Sequence, residues 1–147
     1  DYPKREEEKA IIRQNVRVGG MPTAQKVVKP AEILAARQLV REVYMDEKIE
    51  RYIVDIVYAT RKPDQYKLTD LTSLIAIGGS PRASINMALA AKALAFTKRR
   101  GYVIPEDVRA VCPDVLRHRI GLTYEAEAEN ISVMEIIERV MNTVEVP

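Results

Sequence analysis

A chain of 147 residues can bury roughly 70% of the surface its unfolded form exposes, enough for one domain, or one domain with an arm. Its 47% hydrophobic and 30% charged content suits a globular protein, with no apolar run near the roughly 20 residues that cross a bilayer and no signal-peptide pattern at its start. The single cysteine excludes an internal disulfide, so nothing points to an oxidising compartment and the expected location is cytoplasmic. The net charge of +2 is unevenly spread: residues 120–147 set Arg139 against six glutamates, a balance of −5, which leaves +7 on the preceding 119 residues. Such asymmetry fits a basic face for nucleotide or nucleic acid and an acidic face for a neighbour, or simply an ordinary scatter of surface charge.

Tyr2 to Asn15 reads as a helix, with Pro3 in its first turn followed by Glu6, Glu7 and Glu8. Its apolar content is thin, mainly Ala10, Ile11 and Ile12, so it is expected to lean on something larger. The abrupt start at Asp1 fits a chain cut from a longer protein. Val16 to Lys29, with Gly19-Gly20 and Met21-Pro22, has no helical period and reads as a basic linker carrying Arg17, Lys26 and Lys29. A helix over about 31–42 follows Pro30, with Ile33, Ala36 and Val40 on one face and Leu39 and Val43 adjoining it.

Asp46 is a natural N-cap for the clearest amphipathic stretch, Glu47 to about Arg61. Ile49, Tyr52, Ile53, Ile56, Val57 and Thr60 recur there at three- and four-residue spacing. That spacing says only that they face a core. Residues 62–77 are ambiguous between a short helix and an extended segment, with a turn at Pro63-Asp64. Gly78-Gly79-Ser80-Pro81-Arg82 then opens a long helix to about Lys98. Ser80 is placed to cap it through its hydroxyl, and Pro81 falls at the first helical position. Arg82 lands in the first turn, beside unpaired N–H groups and the positive helix end, an unfavourable place for a cation unless an anion sits between. A solvated arginine after an ordinary cap is the plain alternative. The helix is apolar nearly all round and rich in alanine, which suits the middle of a bundle.

Lys98-Arg99-Arg100 end this helix, with Gly101 expected as its left-handed C-cap and the basic residues complementing the dipole. Pro105 starts the next helix, with Val108, Val111, Cys112 and Val115 inward, and Pro113 is expected to divide it in two. Cys112 reads as a small buried hydrophobe, because a catalytic thiol would need a histidine base and His118 is the only histidine. Arg117-His118-Arg119 is a basic cluster just before the acidic tail. Residues 120–124 form a short strand or hairpin, and Ser132 with Glu135 is a capping box opening a last helix with Ile136, Ile137, Val140 and Met141 inward. No metal-ligand spacing, repeat or low-complexity tract is present.

Several of these stretches, in this order, resemble one family. Gly78-Gly79-Ser80-Pro81-Arg82-Ala83, Gly101-Tyr102-Val103-Ile104-Pro105-Glu106-Asp107-Val108 and Pro113-Asp114-Val115-Leu116-Arg117-His118-Arg119 resemble the C-terminal lid of MoxR-type AAA+ ATPases. Tyr52-Ile53-Val54-Asp55 and Thr123 with Glu125-Ala126-Glu127 agree with it, and Asp1-Tyr2-Pro3 resembles the link leaving the ATPase core. One departure is Ile104, where the family usually has a capping Thr or Ser. The resemblance implies a mainly α fold, a helical AAA+ lid bundle over residues 31–147, with residues 1–30 serving as link and linker. It implies that Arg82 holds the sensor-2 position touching nucleotide phosphates, with Ser80 and Pro81 alongside, and that Tyr52 and Ile53 lie near the nucleotide base.

The implied cofactors are ATP and Mg²⁺, the magnesium held by an N-terminal ATPase core outside this chain. None of the glycines here fits a P-loop and no Walker B acidic pair follows a strand, so the chain alone is not expected to hydrolyse ATP. The implied partners are that core, further copies in a homo-oligomeric ring, and a von Willebrand factor A-domain protein, with chaperone-like maturation of clients as the outcome. Two other readings stand beside it: a non-catalytic helical module binding nucleic acid, which the scatter of basic residues disfavours, and a protein adaptor without nucleotide contact.

Overall fold

The computed structural model describes residues 2–20 and 23–147; Asp1, in the segment resembling the link, and Met21-Pro22 of the expected linker lie outside them. Two compact units are present, one ending at Leu34 and the other running Ala35–Pro147.

In the first unit, helix α1 spans Arg5–Asn15 and buries none of its side chains. It starts three residues later than Tyr2, because the Lys4 backbone N–H donates to Glu7 Oε2 at 2.7 Å and fixes the first turn there. Gly19 and Gly20 take positive φ angles of 111° and 78°, and residues 23–29 have no helix or strand, as a linker requires. Helix α2, Pro30–Glu42, within which the boundary between the units falls, forms where its period predicts, yet none of its residues is buried; Ile33 is 49% exposed, while Ala36 and Val40 are half-buried. Its apolar face is only partly covered, and Val43, just beyond its end, is buried. Periodicity dictates the helix, but a face is buried only where another element packs against it.

The second unit is built on helix α3, Glu47–Ala59, capped by Asp46, whose carboxylate accepts the Lys48 N–H at 2.9 Å. Ile49, Tyr52, Ile53, Ile56, Val57 and Thr60 are all buried, as their spacing predicts. Fully burying a side chain of the size of Ile56 or Val57 contributes about 1.5–3 kcal/mol. The ambiguous 62–77 segment resolves into two 3₁₀ turns, Pro63–Tyr66 and Thr69–Leu71, and a short strand β1, Ile75–Ile77. Strand β2, Gly121–Leu122, pairs antiparallel with β1 inside the predicted 120–124 segment.

Helix α4, Pro81–Thr97, packs on α3 and on α5, Pro105–Leu116. It buries one stripe, Ala83, Met87, Ala91 and Ala95, at strict four-residue spacing, and the small side chains let its neighbours approach. Ile85 and Leu89 on another face are 59% and 48% exposed, so α4 is not enclosed on all sides as its composition suggests. Helix α5 is continuous through Pro113 rather than divided. Proline removes one N–H, but Cys112, Val115 and Leu116 on either side are buried and hold the helix, and Arg117 N–H donates to the Pro113 carbonyl at 2.9 Å. A short helix α6, Tyr124–Ala128, was not expected; Thr123 caps it by accepting the Ala126 N–H at 3.3 Å. The last helix, α7, is Val133–Thr143, with Ser132 accepting the Glu135 N–H and Ile136, Ile137 and Val140 buried. These elements make a mainly α, helical lid-like bundle with one small two-stranded sheet among the described residues.

The end of α4 departs from expectation. Arg99, not Gly101, takes the left-handed position with φ 57°. Arg100 N–H donates to the Ala95 carbonyl at 2.9 Å and Arg99 N–H to the Phe96 carbonyl at 2.8 Å, the paired bonds of a Schellman ending. Arginine rather than glycine is tolerated there because the next residue is anchored. Arg100 grips the fully buried Asp107 with both guanidinium ends, at 2.6 and 2.8 Å, and Lys98 reaches the same carboxylate at 3.2 Å. The Ile104 N–H also donates to Asp107, at 3.2 Å, so the carboxylate does the capping that a Thr or Ser would have shared.

Candidate functional site

The Gly78–Arg82 turn joins β1 to α4 across the C-terminal end of α3. Gly78 lies so close to that end that a Cβ would sit 2.5 Å from the Thr60 carbonyl oxygen, which leaves room for no side chain. Gly79 is buried and donates its N–H to Thr60 Oγ1 at 2.8 Å. The Thr60 hydroxyl in turn donates to the Val57 carbonyl at 2.7 Å, so its lone pairs face Gly79. The turn is thus fixed by packing and by a buried hydrogen bond.

Ser80 occupies the N-cap position in extended conformation, with φ −80° and ψ 168°, but its hydroxyl makes no bond to the helix, contrary to the expected side-chain cap. The Ala83 N–H donates instead to the Ser80 backbone carbonyl at 2.8 Å, and Pro81 takes the first helical position, where it lacks only an N–H that would have been unpaired. Arg82 follows, exposed, with no ion pair or hydrogen bond to any described residue and no acidic residue in the first turn. The helix dipole and the guanidinium put two positive sources together, an arrangement that suits an anion with several oxygens.

The structure brings Ser80, Pro81 and Arg82 together, and puts Tyr52 and Ile53 elsewhere, about 12 Å along α3 from Thr60. Both are 2% exposed. Tyr52 borders an open groove of about 340 Å³ lined by Lys48, Arg51 and Asp55. Arg109 approaches its hydroxyl at 3.4 Å, and donates more closely to the Met141 carbonyl at 2.5 Å and to Asn142 Oδ1 at 3.1 Å, tying α5 to the end of α7.

Other candidates from the sequence are accounted for. Burial pushes the Cys112 thiol up to about 12, which makes it inert. Lys98 and Arg100 of the basic triplet are engaged with Asp107, which leaves only Arg99 exposed without an ion pair among the described residues. Burial alone would raise the Asp107 carboxyl, but the Arg100 guanidinium, the Ile104 N–H and Lys98 outweigh it and hold the carboxyl below the ordinary carboxylate value. Thr60 was legible only as an inward-facing residue. A side chain that spans nineteen positions to bond a glycine N–H leaves no mark in local periodicity.

The AAA lid domain model matches residues 68–140, from the second 3₁₀ turn through most of α7. Chaperone MoxR1 of Mycobacterium tuberculosis is 42% identical over 99% of this chain, which covers 38% of that protein. Protein MoxR of Paracoccus denitrificans is 37% identical over 67% of the chain, covering 31% of it. A crystal structure of a candidate ATPase from Cytophaga hutchinsonii superposes on all of the chain with a TM-score of 0.95 at 40% identity, over 44% of its length. The chain thus spans well under half the length of each of these relatives. With its helical bundle, its Gly78–Arg82 turn and these relatives agreeing, the chain belongs to the MoxR-type AAA+ ATPases, of which it forms a lid domain.

Proposed function

We propose that this lid works with an ATPase core to bind and hydrolyse ATP, and that Arg82 is its sensor-2 arginine. The observation that supports this most is the unpaired, exposed Arg82 in the first turn of the 17-residue helix α4, behind a turn pinned to Thr60. The core supplies the P-loop and holds Mg²⁺; ATP supplies the phosphoryl group to be transferred. On the lid side, the α4 N-terminus and Arg82 face the phosphates, and the planar guanidinium stabilises charge that builds on the transferring group. Ser80 and Pro81 set the direction of that helix. Tyr52 and Ile53 serve the base side from behind, holding the shape of α3.

Because Arg82 is attached through a fixed turn to the α3–α4 core, a pull on its guanidinium moves the bundle with it. Nucleotide state is thereby coupled to lid angle, and in a homo-oligomeric ring to the neighbouring subunit. One relative, named as a chaperone, supports chaperone-like remodelling or maturation of client proteins as the output; a von Willebrand factor A-domain protein is the proposed partner and the cytoplasm the proposed site of action. No helix of the described residues is long and apolar enough to cross a membrane. The test is steady-state ATP turnover of the full-length protein with Arg82→Ala. A fall of roughly 10²-fold with ATP binding largely kept is expected for loss of one transition-state donor; unchanged turnover would remove Arg82 from the site and favour the protein-adaptor reading.

A further inference from the structure

The side of α4 that carries Arg82 is uncovered over the N-terminal half of the helix, and its exposed residues there are largely apolar. Arg82, Ile85, Asn86 and Leu89 stand at i, i+3, i+4 and i+7, which puts them on one side of the helix. All four are exposed, Ile85 by 59% and Leu89 by 48%. The opposite side is the stripe of Ala83, Met87, Ala91 and Ala95, fully buried against the bundle. The two sides of one helix thus meet different surroundings, and the lid itself uses only one of them.

The bare stretch has a definite end. One turn beyond Leu89, Lys92 donates to the Arg41 carbonyl of α2 at 3.1 Å, Ala93 is half-buried, and Phe96 is half-buried against the core. Exposure of large apolar side chains on this side of α4 is therefore confined to the end where Arg82 stands. Single apolar residues on a surface are ordinary. Two of them in consecutive turns, aligned with an unpaired arginine, mark a contact surface.

We propose that Ile85 and Leu89 form a docking surface for the ATPase core of the same polypeptide, the part outside this chain that holds the nucleotide. The proposal rests on the phosphate reading of Arg82 and extends it. A helix rises about 1.5 Å per residue, so Ile85 and Leu89 follow Arg82 at about 5 and about 10 Å along the same side. When the Arg82 guanidinium reaches phosphates cradled by the core, that length of α4 lies over the core surface beside the phosphates. Such a core falls within the length that the relatives have beyond this chain, which spans 38% of Chaperone MoxR1 and 44% of the Cytophaga hutchinsonii structure. Ile85 and Leu89 leave water only when the lid is closed, so their burial favours the closed state and not the open one. Phosphate contact through Arg82 and apolar docking through Ile85 and Leu89 then reinforce each other.

The experiment puts the photoreactive residue benzoylphenylalanine in place of Leu89 in the full-length protein, irradiates it with and without ATPγS and Mg²⁺, and maps the crosslinked peptides by mass spectrometry. Crosslinks to the core within one polypeptide, several-fold more abundant with ATPγS, are expected. A product of twice the chain mass on a denaturing gel gives this surface to a neighbouring copy and overturns the proposal, as does the absence of any crosslink with nucleotide bound. In parallel, Ile85→Glu and Leu89→Glu place a charge at exposed positions, so melting temperatures without nucleotide are expected to stay near wild type while ATPγS affinity falls by about 10-fold or more. Wild-type affinity in both folded variants overturns the proposal; if a variant is unstable, the crosslink decides. Turnover of Arg82→Ala separates the two readings. If it falls while the glutamate variants bind ATPγS as wild type does, only the docking surface fails; if it is unchanged, the phosphate reading of Arg82 fails and the docking surface with it.

Discussion

The Gly79 N–H and the Thr60 hydroxyl, nineteen residues apart, meet at 2.8 Å in a buried hydrogen bond that fixes where α4 begins. Thr60 is 1% exposed, so no water replaces that acceptor. Thr60→Val keeps the shape and removes the acceptor, leaving a buried N–H unpaired. The expected cost is about 1–3 kcal/mol in urea unfolding, with Thr60→Ser close to wild type.

Gly78→Ala tests the same junction through sterics. Its Cβ would lie 2.5 Å from the Thr60 carbonyl oxygen and 2.8 Å from the Thr60 carbonyl carbon, both backbone atoms that cannot swing aside. A loss of about 1–3 kcal/mol is expected, as for other overpacked sites, measured by denaturant titration. In the full-length protein the same change should lower ATP turnover, because it displaces the turn that aims Arg82.

The Asp107 cluster predicts an asymmetry between partners. Arg100→Ala strands a fully buried carboxylate, whereas Asp107→Asn leaves Arg100, 21% exposed, able to reach water. Arg100→Ala should therefore lower the melting temperature more, by roughly 10 °C. The pH dependence follows from the depressed carboxyl. Its stabilisation is complete above the ordinary value of 3.8 and is lost as pH falls below that toward the lower folded value. Wild-type melting temperature should drop across that acidic window, and the drop should be smaller in Asp107→Asn.

Cys112 should behave as a core residue. With its thiol pushed up to about 12 by burial, it should resist a thiol reagent at pH 8 in the native protein and react once the protein is unfolded in urea. Native-state labelling at the unfolded rate would contradict this burial.

How much of this was legible beforehand depended on whether the cause was local. The α3 face was readable because six positions repeat with the helical period, and the Asp46 and Ser132 caps because a cap is a matter of neighbouring residues. Pro81 and Arg82 were readable for the same reason. The Ser80 hydroxyl was over-read: its position is right, but the backbone carbonyl makes the bond. What depends on distant partners was not visible. The exposed face of α2, the burial of Asp107 between Arg100 and Lys98 and the Thr60–Gly79 bond all arise from how elements meet. Gly101 shows the limit of residue-type rules, since Arg99 took the left-handed position once Arg100 was anchored. The family resemblance supplied what spacing could not, a reason to single out Arg82 from other exposed arginines.

The most direct measurement is a structure of the full-length protein with Mg²⁺ and a non-hydrolysable ATP analogue. The Arg82 guanidinium is expected about 2.7–2.9 Å from oxygens of the terminal phosphate, the range of charge-assisted hydrogen bonds. An Arg82 that points into solvent, with the nucleotide bound and the lid closed over it, would rule out a phosphate-sensing role for this arginine.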